Sequence, residues 1–451
     1  MNHHLLLVTG DVIIGVIAVY AGSLLRFGLV ETLVEVDIVR LFFFVLVTVF
    51  ISYLLELYNF ERRTATRELF LRTVLGVACS FILLTAVYYV IHVPTFFRGM
   101  FAVTMGVFGL LQFVWHITYQ SIIDSPHLAR KVLILGTGPL AKKIGDLIQS
   151  TNHQHVLSGY VHFNLMQEPV SVPAHAIVGN GGSITETVKK EKAQKLVVSL
   201  AERRGAFPTQ EVLDCKFCGV DVVDAPSFYE DMTGKLLIEN ITPSWFIFSN
   251  GFKINATLKL YKQAIDFIFA LAGLLFFLPF FPFIALLIKL DSAGPVFFRQ
   301  IRVGEMDRPF FLYKFRTMRQ NAEAGTGAVW AKEDDPRITR LGGLLRKTRI
   351  DELPQLYNVL RGDMSLVGPR PERPEFVERL KTVVPYYSER HFVKPGITGW
   401  AQIKYPYGAS EQDALEKLRY DLYYIKNMSI VLELTVLLET IKVMLFRRGA
   451  R

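Results

Sequence analysis

Cysteine is scarce: Cys79, Cys215 and Cys218 are all that 451 residues contain, too few for a disulfide framework. Cys215 and Cys218 stand in CxxC spacing, yet no second Cys or His pair lies nearby to complete a tetrahedral zinc site, so the two read as packing residues on a helix. A basic arm interleaved with aromatics is also missing. Lys and Arg outnumber Asp and Glu by 50 to 41, a net charge of +9. Without such an arm that excess does not indicate nucleic acid, which leaves phosphorylated substrates and anionic lipid. Charged residues are only 20% of the chain and hydrophobic ones 51%, which excludes a disordered chain and an ordinary soluble one.

Long apolar runs are what the chain has instead. Residues 5–25 are apolar except for Asp11, residues 41–58 are interrupted only by Glu56, and residues 73–91 and 99–119 carry no Lys, Arg, Asp or Glu. Each is about the ~20 residues needed to cross a hydrocarbon core, so residues 1–122 are expected to form a four-helix transmembrane region. The first run lacks the basic flank and small-residue cleavage site of a signal peptide. Arg26 and Arg40 lie in the first loop, Arg62, Arg63, Arg67 and Arg72 in the second, Arg98 alone in the third, and Arg130 and Lys131 follow the fourth run. Positive charge inside then places the N-terminus, the second loop and everything after residue 120 in the cytoplasm. Asp11, within a span, reads either as a functional residue or as an ion buried against a neighbouring helix.

From residue 130 the period changes. Strands are expected at 131–135, 159–163, 195–200 and 220–223, and Gly136, Gly138 and Ala141 form a GxGxxA turn that opens an amphipathic helix. That pattern predicts a Rossmann-like α/β domain over 128–250. The acidic residue that would hold a ribose after the second strand is missing, the segment reading Tyr160-Val-His-Phe-Asn164. A structural or regulatory domain is therefore expected, with nucleotide binding as the alternative. For the whole chain the alternative is a membrane-anchored NAD-dependent nucleotide-sugar dehydratase or epimerase. Its Tyr-x-x-x-Lys pair, in which the lysine lowers the tyrosine pKa, is absent, because no tyrosine stands four residues before a lysine.

A fifth apolar run, residues 267–288, has 22 residues without a charge but holds Pro279 and Pro282 in its middle. Each proline removes a backbone N–H and clashes with the preceding turn, and cations flank both ends alike. A broken helix that enters one leaflet and returns is expected over 260–290, with its freed carbonyls satisfied by protein.

The remaining third is rich in Gly, Pro and charge. Lys314-Phe-Arg316-Thr-Met318 is followed by Arg346-Lys-Thr-Arg349-Ile-Asp351-Glu352-Leu-Pro354, then Gly368-Pro369-Arg370-Pro371, then Lys394-Pro-Gly396-Ile-Thr-Gly399-Trp400-Ala-Gln402. Asp351 stands at or near a helix start, where a carboxylate is either a cap or an anion placed for chemistry. Several cations around one acidic pair suit phosphoryl transfer, in which a carboxylate attacks phosphorus and cations neutralise the oxygens.

These motifs, recurring in order over residues 258–451, closely resemble the bacterial sugar transferases, monotopic polyprenyl-phosphate glycosyl-1-phosphate transferases. The first 250 residues look like the four-span and Rossmann-like extension of the family's large members. The resemblance implies a fold of transmembrane helices plus α/β domains, ending in a catalytic domain with a re-entrant helix broken at Pro279. It implies transfer of sugar-1-phosphate from a UDP-sugar to undecaprenyl phosphate with release of UMP, the first membrane step of exopolysaccharide, capsule or O-antigen synthesis. Matched residue by residue, Asp351 would be the nucleophile and Glu352 its partner at a Mg²⁺ site. Arg370, in its Gly368-Pro369-Arg370-Pro371 turn, would hold the nucleotide diphosphate with Arg346, and Lys314 and Arg316 would lie in the substrate site. The lipid bilayer and a homodimeric second copy are the implied partners, and the bacterial inner membrane the location. Arg349 departs from the small residue usual there. The final run, 430–446, closed by Arg447 and Arg448, reads as an amphipathic membrane-surface helix or a core-packing one.

Overall fold

The computed structural model describes residues 3–27, 38–58, 66–90, 98–123, 129–150, 155–163, 169–180, 183–200, 207–240, 246, 249, 251–252, 255–320, 322, 335–405, 408 and 410–446. Arg62, Arg63, Asn164, Arg447 and Arg448 lie outside the described residues. Internal packing separates the chain into two units, Met1–Ala225 and Pro226–Arg451.

The first unit begins with helices α1 (His3–Phe27), α2 (Ile38–Leu54), α3 (Thr66–Val90) and α4 (Arg98–Ile123). By length and composition, α1, α3 and α4 can cross a membrane, whereas α2 is a shorter apolar helix of 17 residues. The run expected over 41–58 stops being helical at Leu54 for a local reason. Glu56 takes a positive φ of 61°, and Arg72 Nη1 donates to the carbonyls of Leu55 and Glu56, both at 3.2 Å. A cation thus satisfies carbonyls that a helix end leaves unpaired. Phe44, Leu84, Tyr88, Met100 and Phe108 form the centre of the bundle. Asp11 is fully buried there. It accepts from Tyr58 Oη at 2.7 Å and Gln112 Nε2 at 2.5 Å, and lies 3.1 Å from His116 Nε2. Every partner is internal, which supports the reading of a buried ion held against neighbouring helices.

Next comes a five-stranded parallel sheet in the order β3-β2-β1-β4-β5. Its strands are β1 (Arg130–Leu135), β2 (His155–His162), β3 (Ile177–Asn180), β4 (Lys195–Val198) and β5 (Asp221–Asp224), with α5 (Pro139–Ser150), α6 (Ile184–Glu191) and α7 (Thr209–Phe217) between them. The second strand starts earlier than the residue 159 expected, because the pairing shifts between Leu157 and Gly159 and hides the alternation. The third strand was not expected; it is four residues long and includes Gly179. Cys215 packs inside this domain while Cys218 is exposed.

Residues 226–250, read from the sequence as the tail of the α/β domain, belong to the second unit. Glu230, in α8 (Ala225–Thr233), accepts hydrogen bonds from Lys426 Nζ and from Asn427 Nδ2, the latter at 2.8 Å. The unit continues with α9 (Ala256–Phe277), a 3₁₀ turn over Leu278–Phe280 and α10 (Phe281–Asp291). Pro279 and Pro282 each sit in the first turn of the element they enter, where a missing N–H costs little. An antiparallel hairpin follows, β6 (Phe297–Val303) and β7 (Pro309–Phe315), then α11 (Arg340–Lys347) and α12 (Gln355–Arg361). β8 (Ser365–Val367) pairs in parallel with β9 (Gly396–Thr398), and α13 (Pro374–Val383) lies between them in sequence. α14 (Trp400–Lys404), α15 (Glu411–Lys426) and α16 (Ile430–Phe446) complete the chain. Met364, Val367, Leu380, Leu422, Tyr424 and Val436 are part of the core.

Both limbs of the apolar segment dock on this body. Asp266 of α9 accepts from Ser365 Oγ at 2.7 Å and from the Leu366 N–H at 3.0 Å. Lys262, one turn earlier, donates to the Val367 carbonyl at 3.0 Å and to Glu433 at 2.7 Å. Ile284 and Ile288 of α10 pack with Phe315 and Leu345. At the joint, Leu275, Phe276, Leu278, Phe280 and Phe283 stay more than half exposed, an apolar patch too continuous for a water-facing surface. α16 is two-faced: Val436 is buried in the core, while Val431 and Leu434 are exposed.

Candidate active site

Three elements bring the acidic pair into place. α11 ends in its own last turn, and Arg349 takes the left-handed conformation, φ 57° and ψ 15°. This position after a helix ordinarily goes to Gly or Asn. It redirects the chain into a 3₁₀ turn over Ile350–Glu352, and Pro354 then starts α12. Asp351 is therefore not the cap of that helix. Asn358, completely buried on α12, fixes the turn against the hairpin: its Oδ1 accepts from the Tyr313 N–H at 3.1 Å, and its Nδ2 donates to the Phe311 carbonyl at 2.7 Å.

Lys314, the next-to-last residue of β7, thus faces Glu352, with Nζ 3.0 Å from Oε1. Arg370 Nη2 lies 3.3 Å from the same oxygen, and Arg349 Nη1 3.5 Å from Oε2. Burial alone would raise the Glu352 pKa, but Lys314, Arg370 and Arg349 together hold it well below the ordinary carboxylate range. Its neighbour differs. Burial pushes the Asp351 pKa up and the Glu352 charge adds to that, against the pull of Lys314, Arg346 and Arg370. Lys314 is lowered by its own burial and by Arg370, with Glu352 opposing. Asp351 is 7% exposed, and among the described residues no side chain hydrogen-bonds to its carboxylate. One carboxylate is saturated by cations and the other is left for a ligand. Gln355, 3% exposed, likewise keeps a buried Nε2 without a partner among the described residues.

The turn that carries Arg370 is rigid. Gly368 N–H donates to the Thr398 carbonyl at 2.9 Å, and a Cβ on Gly368 would come 2.4 Å from the Lys394 carbonyl oxygen, so only glycine fits. The carbonyls of Pro369, Arg370 and Pro371 accept from the Gly396 N–H at 2.9 Å, Arg390 Nη2 at 2.9 Å and Arg302 Nη1 at 3.1 Å. Arg390 is itself buried and paired with Asp421 at 2.9 Å.

Of the residues singled out by sequence, Lys314, Asp351, Glu352 and Arg370 come together. Arg346 stands close enough to Asp351 to act on its charge and donates to Thr317 Oγ1 at 2.9 Å. Arg316 goes elsewhere. It is buried, and Nη2 donates to the Ser292 carbonyl at 2.6 Å and Ser292 Oγ at 3.0 Å, closing the end of α10. Arg349, one of the cations that the sequence sets around the pair, does reach Glu352. Asn358 supports the site although sequence reasoning gave it no role; an Asn in the middle of a short helix could have been suspected.

Such a unit, with an acidic pair among converging cations on a body that carries an apolar helix pair, defines a membrane-type protein with a buried, cation-rich site. The chain belongs to the bacterial sugar transferase family, whose model matches residues 257–447. It is 41% identical over 238 residues to the UDP-N-acetylgalactosamine-undecaprenyl-phosphate N-acetylgalactosaminephosphotransferase of Aeromonas hydrophila, covering 52% of this chain and 55% of that one. It is 43% identical over 185 residues to the exopolysaccharide production protein PSS of Rhizobium leguminosarum bv. phaseoli, covering 40% of this chain and 92% of that one. With the undecaprenyl-phosphate glucose phosphotransferase of Komagataeibacter xylinus it shares 34% identity over 332 residues, 72% of this chain and 60% of the relative. The match thus spans about half the length of the Aeromonas relative.

Proposed function

We propose that the protein transfers sugar-1-phosphate from a UDP-sugar to undecaprenyl phosphate, in two displacements at one phosphorus. An Asp351 oxygen attacks the phosphorus that bears the sugar, the bridging P–O bond to UMP breaks, and UMP leaves with the electron pair. An oxygen of the acceptor phosphate then attacks the same phosphorus, and the bond to Asp351 breaks to regenerate the carboxylate. One phosphoanhydride is exchanged for another, so no redox partner is needed, and a covalent intermediate lets an aqueous and a lipid substrate use the same nucleophile in turn.

The observation that carries this reading is the asymmetry of the acidic pair. Glu352 is paired by Lys314, Arg349 and Arg370 and organises those cations around the diphosphate. Asp351, buried and without a side-chain partner among the described residues, is the nucleophile.

The donor set fits Mg²⁺, which takes one or two carboxylates and completes its shell with substrate phosphates and water. Among the described residues no three acidic, His or Cys side chains cluster; the metal would be held by Asp351 and Glu352 together with the donor diphosphate. When bound there it would neutralise charge on the diphosphate.

Docking of both α9 and α10 on one body, with an exposed apolar joint, supports a re-entrant segment over a spanning one. Drawn straight, the 36 residues of this segment would measure ~54 Å at 1.5 Å per residue. Together with the arginine-rich second loop, this supports the inner membrane with the catalytic unit on its cytoplasmic face, where nucleotide sugars are found. The names of the relatives support an undecaprenyl-linked sugar phosphate as the product.

The decisive experiment mixes purified protein with a UDP-sugar panel labelled in the sugar phosphate, without acceptor. Stoichiometric UMP release with label on the protein is expected. Asp351→Asn should abolish both, and label retained in that variant would end the assignment.

A further inference from the structure

A half-open cavity of roughly 140 Å³ adjoins the acidic pair. Leu353, Leu356, Ile403 and Val443 line it, and Arg349 and Glu352 are the charged residues of its lining. The reaction chemistry described above uses none of its apolar walls. We infer that this cavity seats the phosphate-proximal isoprene unit of the polyprenyl phosphate acceptor, with Arg349 meeting the phosphate. The inference rests on the function proposed above and adds to it an address for the acceptor.

Shape, charge and placement each support this occupant. A dry apolar cavity of about 150 Å³ takes a group the size of benzene, so a five-carbon isoprene unit fits and the rest of the chain leaves through the open side. The charged part of the lining is cationic on balance, because Glu352 is matched by Lys314 and Arg370 as well as Arg349. An anionic head with an apolar tail therefore complements this combination of charge and apolar wall. A nucleotide would leave the apolar walls unmatched. Placement follows from what lies behind those walls. Leu356 packs against Gly273 of α9, where an added Cβ would stand 3.2 Å from its Cδ1. Leu353 packs against the cluster that holds Ile284 and Ile288 of α10. The cavity thus shares its wall with the apolar helix pair, on the side from which a lipid arrives. Its far wall belongs to α16, tied to β9 by the Thr398–Thr440 hydroxyl pair at 2.7 Å.

The test separates the two half-reactions. Val443→Trp and Ile403→Trp would occupy the apolar part of the cavity while leaving Asp351, Glu352 and their cations unsubstituted. We expect UMP release and labelling of the protein within twofold of wild type, with the acceptor KM raised at least tenfold. An unchanged acceptor KM in both variants overturns the inference. If wild-type protein releases no UMP from any UDP-sugar, the proposed function fails instead, and the result is told apart at once. Should the tryptophan variants misfold, wild-type protein decides. A polyprenyl phosphate bearing a diazirine in its first isoprene unit, in phosphatidylethanolamine–phosphatidylglycerol vesicles, should cross-link to peptides spanning 397–403 or 440–444, and unmodified undecaprenyl phosphate should compete. Adducts confined to other peptides, or adducts from a diazirine phospholipid that polyprenyl phosphate fails to displace, assign the cavity elsewhere or to a bilayer acyl chain and overturn the inference.

Discussion

Lys314 and Glu352 form the central ion pair of the site, 3.0 Å apart across the end of β7 and the turn before α12. The pair sets the charge on Asp351, because the Lys314 ammonium pulls its pKa down while burial and Glu352 push it up. Removing the cation with Lys314→Met therefore raises the Asp351 pKa further, so at a given low pH a larger share is protonated and unable to attack. The acid limb of the pH–rate profile for UMP release should move to higher pH, and the rate at neutral pH should fall by about 100-fold, as for loss of one charge-stabilising donor. Lys314→Arg should restore most of the limb position. An unshifted limb in Lys314→Met would remove Lys314 from the electrostatics of Asp351.

Arg349 holds a left-handed backbone that costs a non-glycine residue about 1 kcal/mol. Arg349→Gly and Arg349→Ala both delete the guanidinium, but only the glycine relieves that strain. Thermal unfolding should rank the glycine variant above the alanine one by about 1 kcal/mol. Equal stability would mean that the turn relaxes at no cost.

Arg316 separates a structural from a substrate role. Its hydrogen bonds go to Ser292 at the end of α10, and loss of a buried charged donor there should cost about 2 kcal/mol. Arg316→Ala is expected to lower the midpoint of unfolding while leaving the KM for the UDP-sugar within twofold. A large rise in that KM with unchanged stability would return Arg316 to the substrate site.

Asp11 accepts from Tyr58 and Gln112 and faces His116 inside the helical bundle. Asp11→Leu would strand those polar groups in an apolar interior, at about 1–3 kcal/mol. Asp11→Asn, which keeps an acceptor, should lose less than half as much. Thermal unfolding in detergent reads both, and a neutral leucine variant would show that the network contributes nothing to stability.

The acidic pair and its cations were legible because they lie in dense runs whose chemistry is unusual wherever they fold. Lys314 and Arg316 looked alike at a spacing of two, which shares one face of a strand. β7 ends at Phe315, and past that end the alternation no longer applies, so Arg316 turns to α10 instead. The apolar run showed where the membrane segment begins but not what fastens it. Asp266 and Lys262 reach β8 across about 100 residues of sequence, and no local pattern encodes such a contact. The short strand Ile177–Asn180 was missed because edge position and Gly179 remove the hydrophobic alternation that marks longer strands.

The Asp266 anchor has a mechanical corollary. It holds the Ser365 hydroxyl and the Leu366 N–H ~18 Å along the helix from the start of the 3₁₀ turn at Leu278, counting 12 residues at 1.5 Å each, and that strand continues directly into Gly368 and Arg370. Asp266, with Lys262 one turn before it, therefore couples the position of the apolar segment to that of the arginine turn through four residues of chain.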